Sequence, residues 1–206
     1  MKQIYPEYSG TLRSHLLTVP KCISECGGIR IFGRRIKSLV FSTDVAIIKN
    51  VNGDAIIAVY PFTPQPSIAQ AHHQCGRRPG VRGCGGGMTS GSRSVRQAEY
   101  AEHQGAFGVV VNAPITDETI TQIKHVVDIP VIATIISSEM DVAGRVRAGA
   151  DILNISGAAR TLRSWPRFEK ISQTSPSLPP GAHRGGHPPH HPGRSQRHYL
   201  YPSLHR

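Results

Sequence analysis

Residues 106–157, AFGVVVNAPITDETITQIKHVVDIPVIATIISSEMDVAGRVRAGADILNISG, decide the fold. Three runs, Gly108–Asn112, Pro130–Ile136 and Asp151–Ser156, are rich in β-branched residues and nearly continuously apolar. That is the composition of parallel strands buried on both faces. Two helix-period segments separate them. Thr116 precedes Asp117 and Glu118, which puts acids in a first turn, and Ile120, Ile123 and Val127 form one apolar stripe. Ser138 is placed to cap the next helix with Asp141 three residues on, Val142 and Val146 face inward, and Gly149 stops it. Strand, helix, strand at this spacing predicts right-handed βαβ units and a parallel sheet.

The same alternation continues upstream. Strands are expected at Leu39–Ser42 and Ala55–Tyr60, and a helix over Ser94–Gln104 ends at Gly105, a natural left-handed stop. Strand starts near 39, 55, 108, 130 and 151 leave a double gap around residue 80, and two more units fit between 157 and 206. Five strands and three vacancies give the eight of a (β/α)8 TIM-type barrel. The expected fold class is therefore α/β, a barrel incomplete in this chain, with strand three and strands seven and eight corrupted. Residues 1–38 form an N-terminal helix and hairpin extension, in which Ile29–Phe32 and Arg35–Leu39 turn at Gly33. Residues 39–160 form the partial barrel, with 71–84 as an insert. Residues 161–206 form a basic, His- and Pro-rich tail expected to be disordered.

The vacancies coincide with the charge. The chain carries 24 basic and 13 acidic residues, net +11, pI near 10.0. Arg77, Arg78 and Arg82 supply +3 of this, and 161–206, with seven basic residues and one acid, supplies +6, so the remainder carries only +2. The two tracts also hold 8 of the 11 histidines and no apolar period. They read like GC-rich DNA translated out of frame. A one-base shift of the back-translation across 71–85 permits an apolar strand leading into Gly85-Gly86-Gly87. Shifts across 161–182 and 183–202 permit two further strand units, the first ending in Thr-Gly-Gly. The expectation is a frameshifted copy of a barrel protein, impaired in folding and inactive as written.

With the barrel in place, the stretch IRIFGRRIKSLVFSTDVAIIKNVNGDAIIAVYPFTPQPSIAQA, with GVVVNAP and AGADILNISGA, resembles a small group of bacterial TIM-barrel proteins provisionally labelled hydrolases. They are similar in layout to the ribulose-phosphate-binding and FMN-linked barrels. The match covers about residues 1–71 and 85–160 directly, and the rest only after frame correction. The resemblance implies a parent that is an enzyme, without fixing its reaction.

In such barrels chemistry sits at the C-terminal ends of the strands. Asp44 directly follows a strand, which makes it the candidate general base or orienting acid, with helix capping as its alternative role. Asn112 and Asn154 are the other catalytic candidates, amides able to orient a polar ligand. Thr43, Tyr60, Gly85, Gly86, Gly87, Ser156 and Gly157 are candidate ligand contacts, with the Tyr60 hydroxyl expected in the mouth. The triple glycine lets backbone N–H groups approach an anion, or simply turns tightly.

The expected ligand is a small phosphorylated or anionic metabolite. No cofactor is required, although FMN on the same cradle defines an alternative oxidoreductase, and a non-catalytic metabolite-sensing barrel is another. Cys22/Cys26 and Cys75/Cys84 match no zinc spacing, so no native metal is expected. The tail lacks interleaved aromatics, so specific nucleic-acid recognition is not expected. No run is long enough to span a bilayer, and the apolar run at Leu16–Val19 is too short for a secretory leader, so a cytoplasmic location with free thiols is expected.

Overall fold

The apolar runs form one continuous parallel sheet. A computed structural model describes residues 16–60, 65–75, 78–137, 139–156 and 199–200. An antiparallel hairpin comes first, β1 (Ile29–Ile31) and β2 (Arg34–Ile36), with Ile29 opposite Ile36. Phe32 and Gly33 at its tip have φ of 47° and 76°. Two successive positive φ values match the right-handed twist of the flanking strands, so the chain turns at Gly33 as expected.

The sheet follows as β3 (Leu39–Phe41), β4 (Ala55–Ala58), β5 (Gly80–Gly85), β6 (Gly108–Val111), β7 (Val131–Ile135), β8 (Ile152–Ile155) and β9 (Tyr199–Leu200). Neighbours in space are neighbours in sequence, and every pairing is parallel. Between strands lie α1 (Val45–Asn50), α2 (Pro66–Cys75), α3 (Ser92–His103), α4 (Asp117–Val126) and α5 (Val142–Arg147).

Right-handed crossovers that never reverse direction must put all helices on one face. The burial pattern agrees. Val109, Val111, Val131 and Ile135 share a core with Ala98 of α3, Ile120 and Ile123 of α4 and Val142 of α5. On the other face Ala55, Ile57, Val81, Val110, Ile132 and Ile152 gather with Ile29, Ile31 and Ile36 of the hairpin. Five flat strands would span about 19 Å, whereas a three-residue strand covers about 10 Å, so the sheet must curl about the hairpin. At the hairpin tip the Phe32 ring meets Phe107 edge-on, the ring centroids 5.6 Å apart. The result is a parallel half-barrel with a hairpin plug.

Strand three is a correction to the sequence reading. Gly80–Gly85 fills the slot between β4 and β6, paired to both, although it lies in the tract read as a vacancy. Val81 and Cys84 are fully buried there, and Pro66–Cys75 completes the preceding unit as α2. Two strongly specified neighbours leave room for one strand, and their unpaired edges recruit backbone that lacks a β-branched run of its own. Arg82 accompanies the strand inward, with only 8% of its surface exposed.

The slot for strand seven, beside β8, is taken by Tyr199–Leu200. Residues 1–15, 157–198 and 201–206 lie outside the described residues, and with them most of the expected tail and Gly157. The cap of α5 also differs: Asp141 accepts from the Gly144 N–H at 2.8 Å, so the helix begins three residues later than a Ser138 cap implies. Thr116 caps α4 as expected.

Candidate functional site

Alternation along each strand fixes which side chains can line the concave face. Leu39, Ile57, Val81, Val110, Ile132 and Ile152 point toward the hairpin. Two residues further on, the same face carries Phe41, Val59, Gly83, Asn112, Thr134 and Asn154. These are the C-terminal ends of the strands. Among the described residues, no Asp, Glu, Lys, Arg or His occupies a sheet position on this face. The floor of the mouth is uncharged, and its polar groups are gathered at the ends of β6, β7 and β8.

Two of its groups are joined. Asn154 Nδ2 donates to Thr134 Oγ1 at 3.3 Å across the β7–β8 pair, whose register places the residues side by side. The bond leaves the Thr134 O–H and the second Asn154 N–H as donors, while Thr134 is itself only 8% exposed. Ser156 follows on the same strand end, its N–H bonded to Ile135 O at 2.8 Å.

Asn112 stands beside this pair, one strand over, and is gripped by the glycine loop. Its N–H donates to Gly85 O at 2.8 Å. Gly86, at φ 96°, approaches so closely that a Cβ there would fall 2.5 Å from Asn112 O. Gly87 lies against the side chain, with Asn112 Nδ2 4.0 Å from a notional Cβ. The Gly86 N–H is taken by Thr89 O at 2.9 Å, which removes it as an anion donor. Close packing thus explains Gly86, and the loop positions Asn112.

The remaining sequence candidates lie elsewhere. Asp44 does follow β3, but its carboxylate caps α1, accepting from Ala46 N–H at 2.7 Å and Ile47 N–H at 3.3 Å. Tyr60 has the parity of Ile56 and Ala58, so it lies on the helix side. Its ring meets His72 of α2 at 6.5 Å, and its hydroxyl accepts from Gln65 N–H at 3.3 Å. The Tyr60 hydroxyl is therefore not in the mouth. Thr43 contributes its carbonyl to His72 Nε2 at 3.0 Å.

That helix-side cluster was missed by sequence reasoning. His72 and Arg82 are both 8% exposed, and they flank a cavity of about 10 Å³ with Tyr60, Gln97 and Tyr100. Burial holds the His72 pKa below its usual 6.5, opposed by the Thr43 carbonyl and aided by Arg82. Because Nε2–H donates to Thr43, neutral His72 has an acceptor at Nδ1, which is buried without a protein partner. The cavity is sized for one water, which would donate to Nδ1.

A cavity of about 280 Å³ also lies outside the mouth, between the N-termini of α4 and α5. Arg145 occupies its wall, donating to Ala113 O, Ile115 O and Asp117 Oδ1. Among the described residues no group of three metal-ligating side chains occurs, and no helix is long and apolar enough to cross a membrane.

No family model matches the chain, and no curated protein matches it. Among solved structures it is similar to dihydrodipicolinate synthase from Bacillus clausii, with 18% identity over 64% of this chain and 49% of that one, TM-score 0.46. It is similar to a monomeric dihydrodipicolinate synthase variant, 18% identical over 64% and 51%, TM-score 0.46. A Pseudomonas aeruginosa protein provisionally named a dihydrodipicolinate synthetase gives 14% identity over 60% and 51%, TM-score 0.49. The chain spans about half the length of these structures.

Proposed function

We propose that this chain carries the scaffold of a barrel enzyme whose mouth binds a small metabolite through an anionic or phosphorylated group. The observation that carries the reading is the Asn154–Thr134 hydrogen bond on the concave face, beside Asn112 at the neighbouring strand end. An oxyanion there would accept from the Thr134 O–H and the amide N–H groups of Asn154 and Asn112, donors that the strand ends hold in place. Neutral donors held by secondary structure bind a single anionic head without a permanent counter-charge. Asp44 serves α1, and the proposal gives it no further role.

The chain is further read as a disrupted copy of its parent. Arg82 supports this, since it sits in the barrel wall with no carboxylate among the residues lining its cavity. Sequencing the gene across codons 70–88 and 158–185 tests that part directly, and codons read as written end it.

The binding reading is tested by thermal unfolding of the full chain with and without millimolar inorganic phosphate. Phosphate should raise the melting temperature, and Asn154→Ala or Thr134→Val should abolish the rise. An equal rise in both variants would place the anion elsewhere and end the proposal.

A further inference from the structure

The mouth has two parts of opposite character. Its floor is the uncharged polar set of Asn112, Thr134 and Asn154. Its rim is hydrocarbon. Val45, opening α1 just beyond β3, is 42% exposed. Ile136 follows β7 in the register of Ile132 and Thr134 and is 55% exposed. Met88, in the loop that grips Asn112, is 82% exposed. All three follow the C-terminal ends of strands, the end of the sheet that carries the polar floor.

Exposed apolar side chains scattered singly over a surface need no explanation. Here they share one end of the sheet with the polar floor. A ligand held by its head on the floor must lay its body against the rim. A polyol body would strip its hydroxyls of water against groups that offer no hydrogen bonds, which is unfavourable. A hydrocarbon body would bury apolar surface on both sides.

Resting on the binding reading above, we infer that the ligand is an anion with an aryl or short alkyl body, not a sugar or other polyhydroxylated phosphate. Ile136 and Met88 set this preference, Ile136 as a fixed wall and Met88 as an adaptable one. Neither touches the floor's hydrogen bond, so they affect the body of the ligand and leave its head alone.

Calorimetric titration of the full chain with inorganic phosphate, phenyl phosphate and glycerol 3-phosphate tests the inference. Phenyl phosphate should bind at least tenfold more tightly than the other two. Ile136→Ala and Met88→Ala should each cut that ratio severalfold and leave the Kd for inorganic phosphate unchanged. Glycerol 3-phosphate binding as tightly as phenyl phosphate, or a ratio that survives both substitutions, overturns the inference while the anion site stands. Failure of all three to bind removes the site and the inference together. Sedimentation of the same samples shows whether the apolar rim is covered by a second copy of the chain. A dimer that both substitutions dissolve would also overturn the inference.

Discussion

Arg145 donates to Asp117 Oδ1 at 2.9 Å, tying the body of α5 to the first residue of α4. The same guanidinium holds Ala113 O and Ile115 O, so one side chain fixes the whole β6–α4 connection that follows Asn112. The strands set where Asn112 sits, and Arg145 sets how far its loop can move.

Removing that clamp leaves two backbone carbonyls and a carboxylate to find water. Arg145→Ala should therefore destabilise the chain by about 2–3 kcal/mol. Arg145→Lys should recover less than half of the loss, because an ammonium cannot reach three acceptors in a fork. Urea unfolding of the three proteins measures both.

Arg82 should behave in the opposite sense. Burial lowers its pKa, desolvation being the main cause, and no carboxylate lines its cavity. Arg82→Met keeps the volume and removes the charge, so it should stabilise the chain by about 1–3 kcal/mol in urea unfolding. A loss of stability would show that the guanidinium is better compensated than its surroundings indicate.

These two arginines show what the sequence made legible. β3, β4, β6, β7 and β8 lie within the runs read as strands, because their valines and isoleucines serve both faces of a buried sheet. β5 was illegible for a physical reason. Its positions are Gly80, Val81, Arg82, Gly83, Cys84 and Gly85, so its place comes from the open edges of β4 and β6 and not from its own side chains. Of the candidate site, the places of Asn112 and Asn154 at strand ends follow from the sequence alone, whereas the place of Thr134 beside Asn154 comes from the pairing of β7 with β8. Tyr60 was placed on the wrong face, although counting by two from Ile56 reaches the correct one.

His72 gives the fold a pH dependence. Its folded-state pKa lies below 6.5, mainly through desolvation, so the unfolded chain takes up the proton first. Stability from this group is whole above pH 6.5, falls as the pH drops from 6.5 toward the depressed folded value, and levels off below it. Chemical unfolding between pH 8 and pH 5 should show that fall, and His72→Gln should flatten it.

Cys84 belongs to β5 and is buried in the core on the helix side of the sheet, where burial pushes its thiol up to about 12. Cys22 is exposed. Under native conditions a thiol reagent at pH 8 should modify Cys22 rapidly and Cys84 only after unfolding, since the thiolate is the reactive form. Peptide mapping by mass spectrometry reads both. Fast native labelling of Cys84 would mean that β5 does not hold its place in the sheet.

The most direct test of the account follows individual side-chain amides by NMR as inorganic phosphate is added to the full chain. The Asn154 and Asn112 side-chain N–H2 signals should move together and saturate with one dissociation constant. If those signals stay fixed while only arginines and histidines beyond residue 160 respond, the anion binds the basic tail and the mouth of the half-barrel is not a ligand site.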